Sequence, residues 1–274
     1  MLRSASTVLL GASVIVACSR DEFSVAVDAS TDVSSQNDAS SQLDAASDAD
    51  VSAVAKCAGY AGPGFCDDFD VARDGAADLD PRWVVGTAGG TIGRSSSASR
   101  SAPFGLRSVL SNAGNRAIVT HFPKVVTVRH VTQKFSVSIG AECAVAPGVS
   151  LAGVGGIQTL TQAKLSAALV LAVSTSAKIG LVVAIAADAG PVVVGFAATK
   201  DVPLGAFVDL TLDLVLTGGM LHATVVQDGV LVIDETLNAG LLPQIPTFYI
   251  GLDTQTAHSA CAAAFDDVIL EATP

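Results

Sequence analysis

Four histidines, four glutamates, five cysteines and two tight groups of aspartates are the residues of this chain with the clearest potential for chemistry. Acid–base work on a glycosidic bond needs two carboxylates held roughly 5–9 Å apart. Glu142, Glu235 and Glu271 all stand more than six positions from one another, and Glu22 lies far upstream, so no local pair exists. His121, His130, His222 and His258 are scattered along the chain. Serines and aspartates are abundant enough to write a triad on paper. No serine sits in the G-x-S-x-G setting that strains and exposes a nucleophile. Zinc is unsupported too, because there is no CxxC spacing and no cluster of histidines. These residues point away from an enzyme.

Cys18 has a specific setting. It closes the segment MLRSASTVLLGASVIVACSR, where Arg3 is a short positive start and residues 5–17 are a 13-residue apolar and small-residue stretch. That stretch is too short to span about 30 Å of hydrocarbon, which takes about 20 helical residues. It fits the hydrophobic region of a secretory signal. Ile15-Val16-Ala17-Cys18 resembles the lipobox of bacterial lipoproteins, with a slight departure at Val16, where a smaller residue is commoner. The resemblance implies cleavage before Cys18, lipid on Cys18, and a bacterial cell-envelope location. Ser19 in place of Asp favours the outer membrane over the inner. Several acyl chains, each contributing ~0.8 kcal/mol per buried CH2, anchor a protein stably where one does not. The alternative is an ordinary signal peptide with an incidental cysteine.

Residues 18–56 read as a disordered acidic tether. Asp-Ala-Ser recurs at 28–30 and 38–40, and from 19 to 56 there are eight acidic residues against two basic ones. Such a run buries too little apolar surface to offset the entropy of ordering, and its charge extends it. It serves as a spacer or as an acidic interaction tail. Of the net charge of −11, the tether carries −6 and the rest of the chain from 57 carries −6, with 12 basic and 18 acidic residues, while Arg3 supplies +1. That balance excludes a nucleic-acid partner, which needs basic surface.

From Cys57 the composition turns to Val, Ala, Leu, Ile and Gly. Short apolar runs at 168–173, 179–186 and 192–198 are separated by turn residues, and 208–216 begins in alternation of apolar with polar. Runs at 221–226 and 230–237 flank an Asp228-Gly229 turn, the chemistry of a hairpin, and further strands fall at 247–253 and 262–272. This pattern predicts one all-β domain over 57–274. The 23-residue stretch 165–187 holds a single charge, Lys178, near its middle, with Ser174, Thr175, Ser176 and Gly180 around it. It is read as two strands and a turn, not a membrane span. One Trp and two Tyr cannot furnish the aromatic girdles of an outer-membrane barrel.

A signal peptide leads to an oxidising compartment, so the four remaining cysteines, Cys57, Cys66, Cys143 and Cys261, are expected to form two disulfides. Three pairings exist. The favoured one joins Cys57 to Cys66, nine positions on across a Gly/Pro-rich loop, leaving Cys143 with Cys261.

Two stretches carry a further resemblance. Phe65-Cys66-Asp67-Asp68-Phe69-Asp70, with Trp83 shortly after, and Phe265-Asp266-Asp267-Val268-Ile269-Leu270 are similar to the opening and closing strands of concanavalin A-like (laminin-G-like) jelly-roll domains. The segment 102–110 and the Asp228-Gly229 hairpin are similar to two internal strands of that family. The resemblance implies a sandwich of two antiparallel sheets with neighbouring first and last strands. Such neighbours would let Asp68, Asp70, Asp266 and Asp267 converge as hard oxygen ligands, so a structural calcium is expected as cofactor. The alternative is that these carboxylates cap strand ends or bond loop amides. Laminarinase-type relatives carry E-x-D-x-E, which is absent here. Other relatives bind sugar, usually by stacking it on an aromatic ring. The only Trp and Tyr candidates are Tyr60, Trp83 and Tyr249; Trp83 is expected in the core or at its rim, and Tyr249 packed within its strand. The reading is a lipid-anchored, non-catalytic envelope or surface binding protein, with a glycan or an envelope protein as partner. The competing readings are a structural or protein-partner-binding surface lipoprotein without a small ligand, and, behind it, a glycan-active enzyme.

Overall fold

The segment Phe207–Thr217 shows why this chain builds sheets: Val208, Leu210, Leu212 and Leu214 are buried while the residues between them are not. A two-residue period of this kind lays one side of a strand on a core and leaves the other free. The computed structural model holds fifteen strands among its described residues. It describes residues 57, 59–101, 103–111, 114–123, 128–145, 148–157, 164–173, 176–187, 190–238, 246–258 and 260–274. Cys18, the signal and the tether lie outside these residues.

The strands form two antiparallel sheets. The first holds β1 (Phe65–Asp67), β3 (Gly90–Ser95), β4 (Gly105–Leu110), β6 (His130–Ile139), β11 (Phe207–Thr217), β12 (Met220–Gln227), β13 (Val230–Asn238) and β15 (Cys261–Thr273). Its order is β13-β12-β11-β6-β15-β4-β3, with β1 added to the far half of β15. The second holds β2 (Trp83–Ala88), β5 (Gly114–His121), β7 (Val149–Ile157), β8 (Lys164–Val173), β9 (Ala177–Ala187), β10 (Gly190–Asp201) and β14 (Thr247–His258), in the order β10-β9-β8-β7-β14-β5-β2. This is the expected jelly-roll sandwich. The first and last strands are neighbours, with Phe65 opposite Leu270. The stretch 165–187 is the β8–β9 pair, and no helix among the described residues is long and apolar enough to cross a membrane.

The core lies between the sheets. Phe135, Val137, Phe265, Leu210 and Leu212 face it from the first; Val119, Val154, Leu169, Leu181, Phe248 and Ile250 face it from the second. Each such side chain contributes about 1.5–3 kcal/mol on burial. Two disulfides staple the periphery. Cys57–Cys66 ties the segment before β1 to that strand, and Cys143–Cys261 ties the 3-10 turn Ala141–Val145 to the start of β15.

Candidate functional site

Trp83 lies in the core, 4% exposed. Its indole Nε1 donates to the Asp67 carboxylate at 2.7 Å, and its ring meets Phe65 edge-on. It offers no stacking surface. Tyr60 is half-buried and donates its hydroxyl to Glu271 at 2.6 Å. Burial and that carboxylate push the phenol up to about 12.

Tyr249 is placed differently. Its neighbours Phe248 and Ile250 are fully buried, so alternation turns Tyr249 to the outer face of the second sheet. It pairs with Thr120 on β5 and Gly153 on β7. The ring lies across β7: a Cβ on Gly153 would come 2.6 Å from the Tyr249 hydroxyl and 2.7 Å from the ring edge. Only glycine leaves room for that approach. The hydroxyl reaches Ser150 Oγ at 2.8 Å.

Further along β14, Asp253 pairs with Arg116 on β5. The Arg116 Nε donates to the Asp253 carboxylate at 3.1 Å. Burial raises the Asp253 pKa, partly offset by Arg116. Gly86, Gly155, Ala168 and Gly180 occupy outward register positions around the group, interleaved with the larger Ile118 and Val170. One aromatic ring, two hydroxyls and an ion pair therefore share this face. Those parts can stack on a ring-shaped ligand and exchange hydrogen bonds with its hydroxyls. The sequence places Tyr249 in its strand but misses Arg116, Thr120, Ser150 and Asp253. The alternation of β5 and β14 signals which of them share a face.

The aspartates expected to hold calcium are spread over a corner where β1 meets β15. A bulge between Asp266 and Ile269 interrupts pairing with β6, and Asp267 takes a φ of 55°. Asp266 is wholly buried. Its Oδ2 accepts from the backbone N–H of Arg100 and Ser101 at 2.8 and 3.0 Å, and its Oδ1 from that of Asp267 at 2.8 Å. Burial raises its pKa to about 6 against those amides. Asp70 accepts from Phe104 N at 3.2 Å, and Asp68 from the N–H groups of Cys57 and Asp70, both at 3.4 Å.

The carbonyls of Phe69 and Asp70 accept from Arg94 at 2.6 and 2.8 Å. The oxygens thus face N–H donors, whose positive ends occupy the directions a cation would need. Among the described residues no group of three His, Cys, Asp or Glu side chains is placed to hold a metal ion. In this corner the carboxylates bond loop amides, and Arg94 bonds the carbonyls of Phe69 and Asp70.

No protein-family profile matches this chain, and neither does any curated protein. Solved structures do resemble it. The cellulose-induced protein Cip1 is 14% identical with a TM-score of 0.52, over 76% of this chain and 97% of that one. The alginate lyase vAL-1 from Chlorella virus is 11% identical with a TM-score of 0.51, over 70% of this chain and 94% of the other. At these identities the likeness is one of fold.

Proposed function

We propose that the domain is a non-catalytic saccharide-binding module of the bacterial cell envelope, tethered by lipid on Cys18. The observation that supports it is the Tyr249 ring laid over Gly153, with Ser150, Thr120 and the Arg116–Asp253 pair around it. A pyranose offers an apolar face for such a ring and hydroxyls for such neighbours. The charge of −6 over residues 57–274 favours a neutral glycan over a polyanionic one. The lipobox-like residues 15–18 support the anchor. The two disulfides support an oxidising compartment.

A glycan array with the purified domain tests the reading. A neutral glycan should bind, Tyr249→Ala should abolish the signal, and Tyr249→Phe should retain most of it. Binding undiminished in Tyr249→Ala, or no glycan bound at all, overturns the site and leaves the structural or protein-binding lipoprotein. The same domain should turn over no member of a polysaccharide panel; any turnover overturns the non-catalytic part. In cells, Cys18→Ala should move the protein from the membrane to the soluble fraction. A wild type already soluble after processing refutes the anchor.

A further inference from the structure

The outer face of the first sheet holds a concavity of about 340 Å3, lined by Ser97, Arg107, Ser138, Gly140, Glu142 and β15 residues 262–264. Its floor is Ala264 on β15. Arg107 on β4 pairs with Ala264 from one side and Ser138 on β6 pairs with it from the other. Two strand spacings, about 10 Å, therefore separate these walls. Arg107 also pairs with Gly93 on β3, so both of its cross-strand neighbours are too small to cover it.

The backbone of the turn that carries Glu142 is held in place. The Gly140 N–H donates to the Ala262 carbonyl at 2.9 Å, and Cys143 N–H donates to the Gly140 carbonyl at 3.1 Å. Cys143 is bonded to Cys261, at the head of the floor strand. Gly140 lacks the Cβ that would collide with the Glu142 carboxylate folded above it. Both side chains are exposed. Neither Arg107 nor Glu142 has an ion-pair partner among the described residues. A cation and an anion thus line one trough, with the hydroxyls of Ser97 and Ser138 beside them.

We infer that this trough binds a short peptide with free termini. Arg107 takes its carboxylate in a two-pronged hydrogen bond, Glu142 takes its ammonium group, and the two serines bond the peptide unit between. A guanidinium matches a carboxylate bidentately, which a hydroxyl cannot equal. A single-sign polymer meets one attractive and one repulsive charge here and gains little. Two or three extended residues reach about 7–10 Å, the span from β4 across β15 to β6. The alanine floor admits backbone and small side chains and has no slot for a large one.

Calorimetric titration of the full domain with free trialanine tests this. Trialanine should bind, and binding should weaken with added salt. N-acetyl-trialanine and trialanine amide should each bind about tenfold more weakly or worse. Arg107→Gln should lose the preference for a free carboxyl, and Glu142→Gln the preference for a free amine. Both substitutions lie on the surface and should leave the thermal midpoint unchanged. Tyr249→Ala should leave trialanine binding intact, which separates this site from the saccharide face. Equal binding of free and capped peptides, no binding of trialanine by a folded wild type, or unaltered end preferences in both variants overturns the proposal.

Discussion

The Tyr249 ring rests on the backbone of Gly153, two residues that face each other across β14 and β7. A methyl group on Gly153 would meet the ring on one side and the Ala167 carbonyl, at 2.5 Å, on the other. The backbone oxygen cannot swing away. Gly153→Ala should therefore destabilise the fold by about 1–3 kcal/mol and displace the ring, ending saccharide binding. Gly155→Ala, whose Cβ would meet nothing nearer than 3.8 Å, is the control. It should be neutral or slightly stabilising in urea unfolding. Equal stability of the two variants would show that the ring has room to spare.

Arg94 joins three partners: the carbonyls of Phe69 and Asp70, and the Phe104 ring, whose centroid lies 3.6 Å below the guanidinium carbon. Removing it leaves two carbonyls without donors beside the acidic corner. Arg94→Met should cost about 2–3 kcal/mol in chemical denaturation. The wild type should melt at the same temperature in calcium and in EDTA. A rise of several degrees on adding calcium would mean that the corner rearranges into a cation cage.

Two buried groups tilt stability in opposite directions with pH. His121 stacks on Phe65 with centroids 4.3 Å apart, and burial lowers its pKa. The unfolded chain protonates this residue first as pH falls below about 6.5, so stability present above that pH is lost on acidification. Burial raises Asp266 to about 6. The unfolded chain releases that proton first as pH rises past about 4, so stability falls between there and about pH 6, by on the order of 3 kcal/mol. Relative to wild type, His121→Phe should steepen the loss of stability with rising pH over this window. Asp266→Asn should flatten it. Urea midpoints from pH 4 to 7 give both slopes; an unchanged slope in either variant refutes its assignment.

The two disulfides close loops of very different length, with sequence separations of 118 for Cys143–Cys261 and 9 for Cys57–Cys66. Loop entropy alone gives about 5 and about 3 kcal/mol respectively. The double serine variant at Cys143 and Cys261 should thus be the less stable by roughly 2 kcal/mol in urea unfolding. It should also lose trialanine affinity, because Glu142 is no longer pinned. A variant that kept full affinity would separate the staple from the trough.

The alternation in residues 208–216, the Asp228-Gly229 turn and the strand-length apolar runs make the all-β sandwich legible in the sequence, because period and turn chemistry are local properties. The FxDDFD and FDDV segments added that the first and last strands meet, through family likeness. Local pattern also tells which residues of one strand share a face. It does not tell which strands lie side by side. Ser150 meets Tyr249 across 99 positions and Arg116 meets Asp253 across 137. Those meetings exist only once seven strands are ordered into a sheet. The aspartate corner shows the same limit. Residue type made Asp68, Asp70, Asp266 and Asp267 candidate ligands, but a carboxylate is equally an acceptor for amides. Which it becomes depends on the bulge at Asp267 and on Arg94 arriving from β3, and those are decided by packing between segments far apart in the chain.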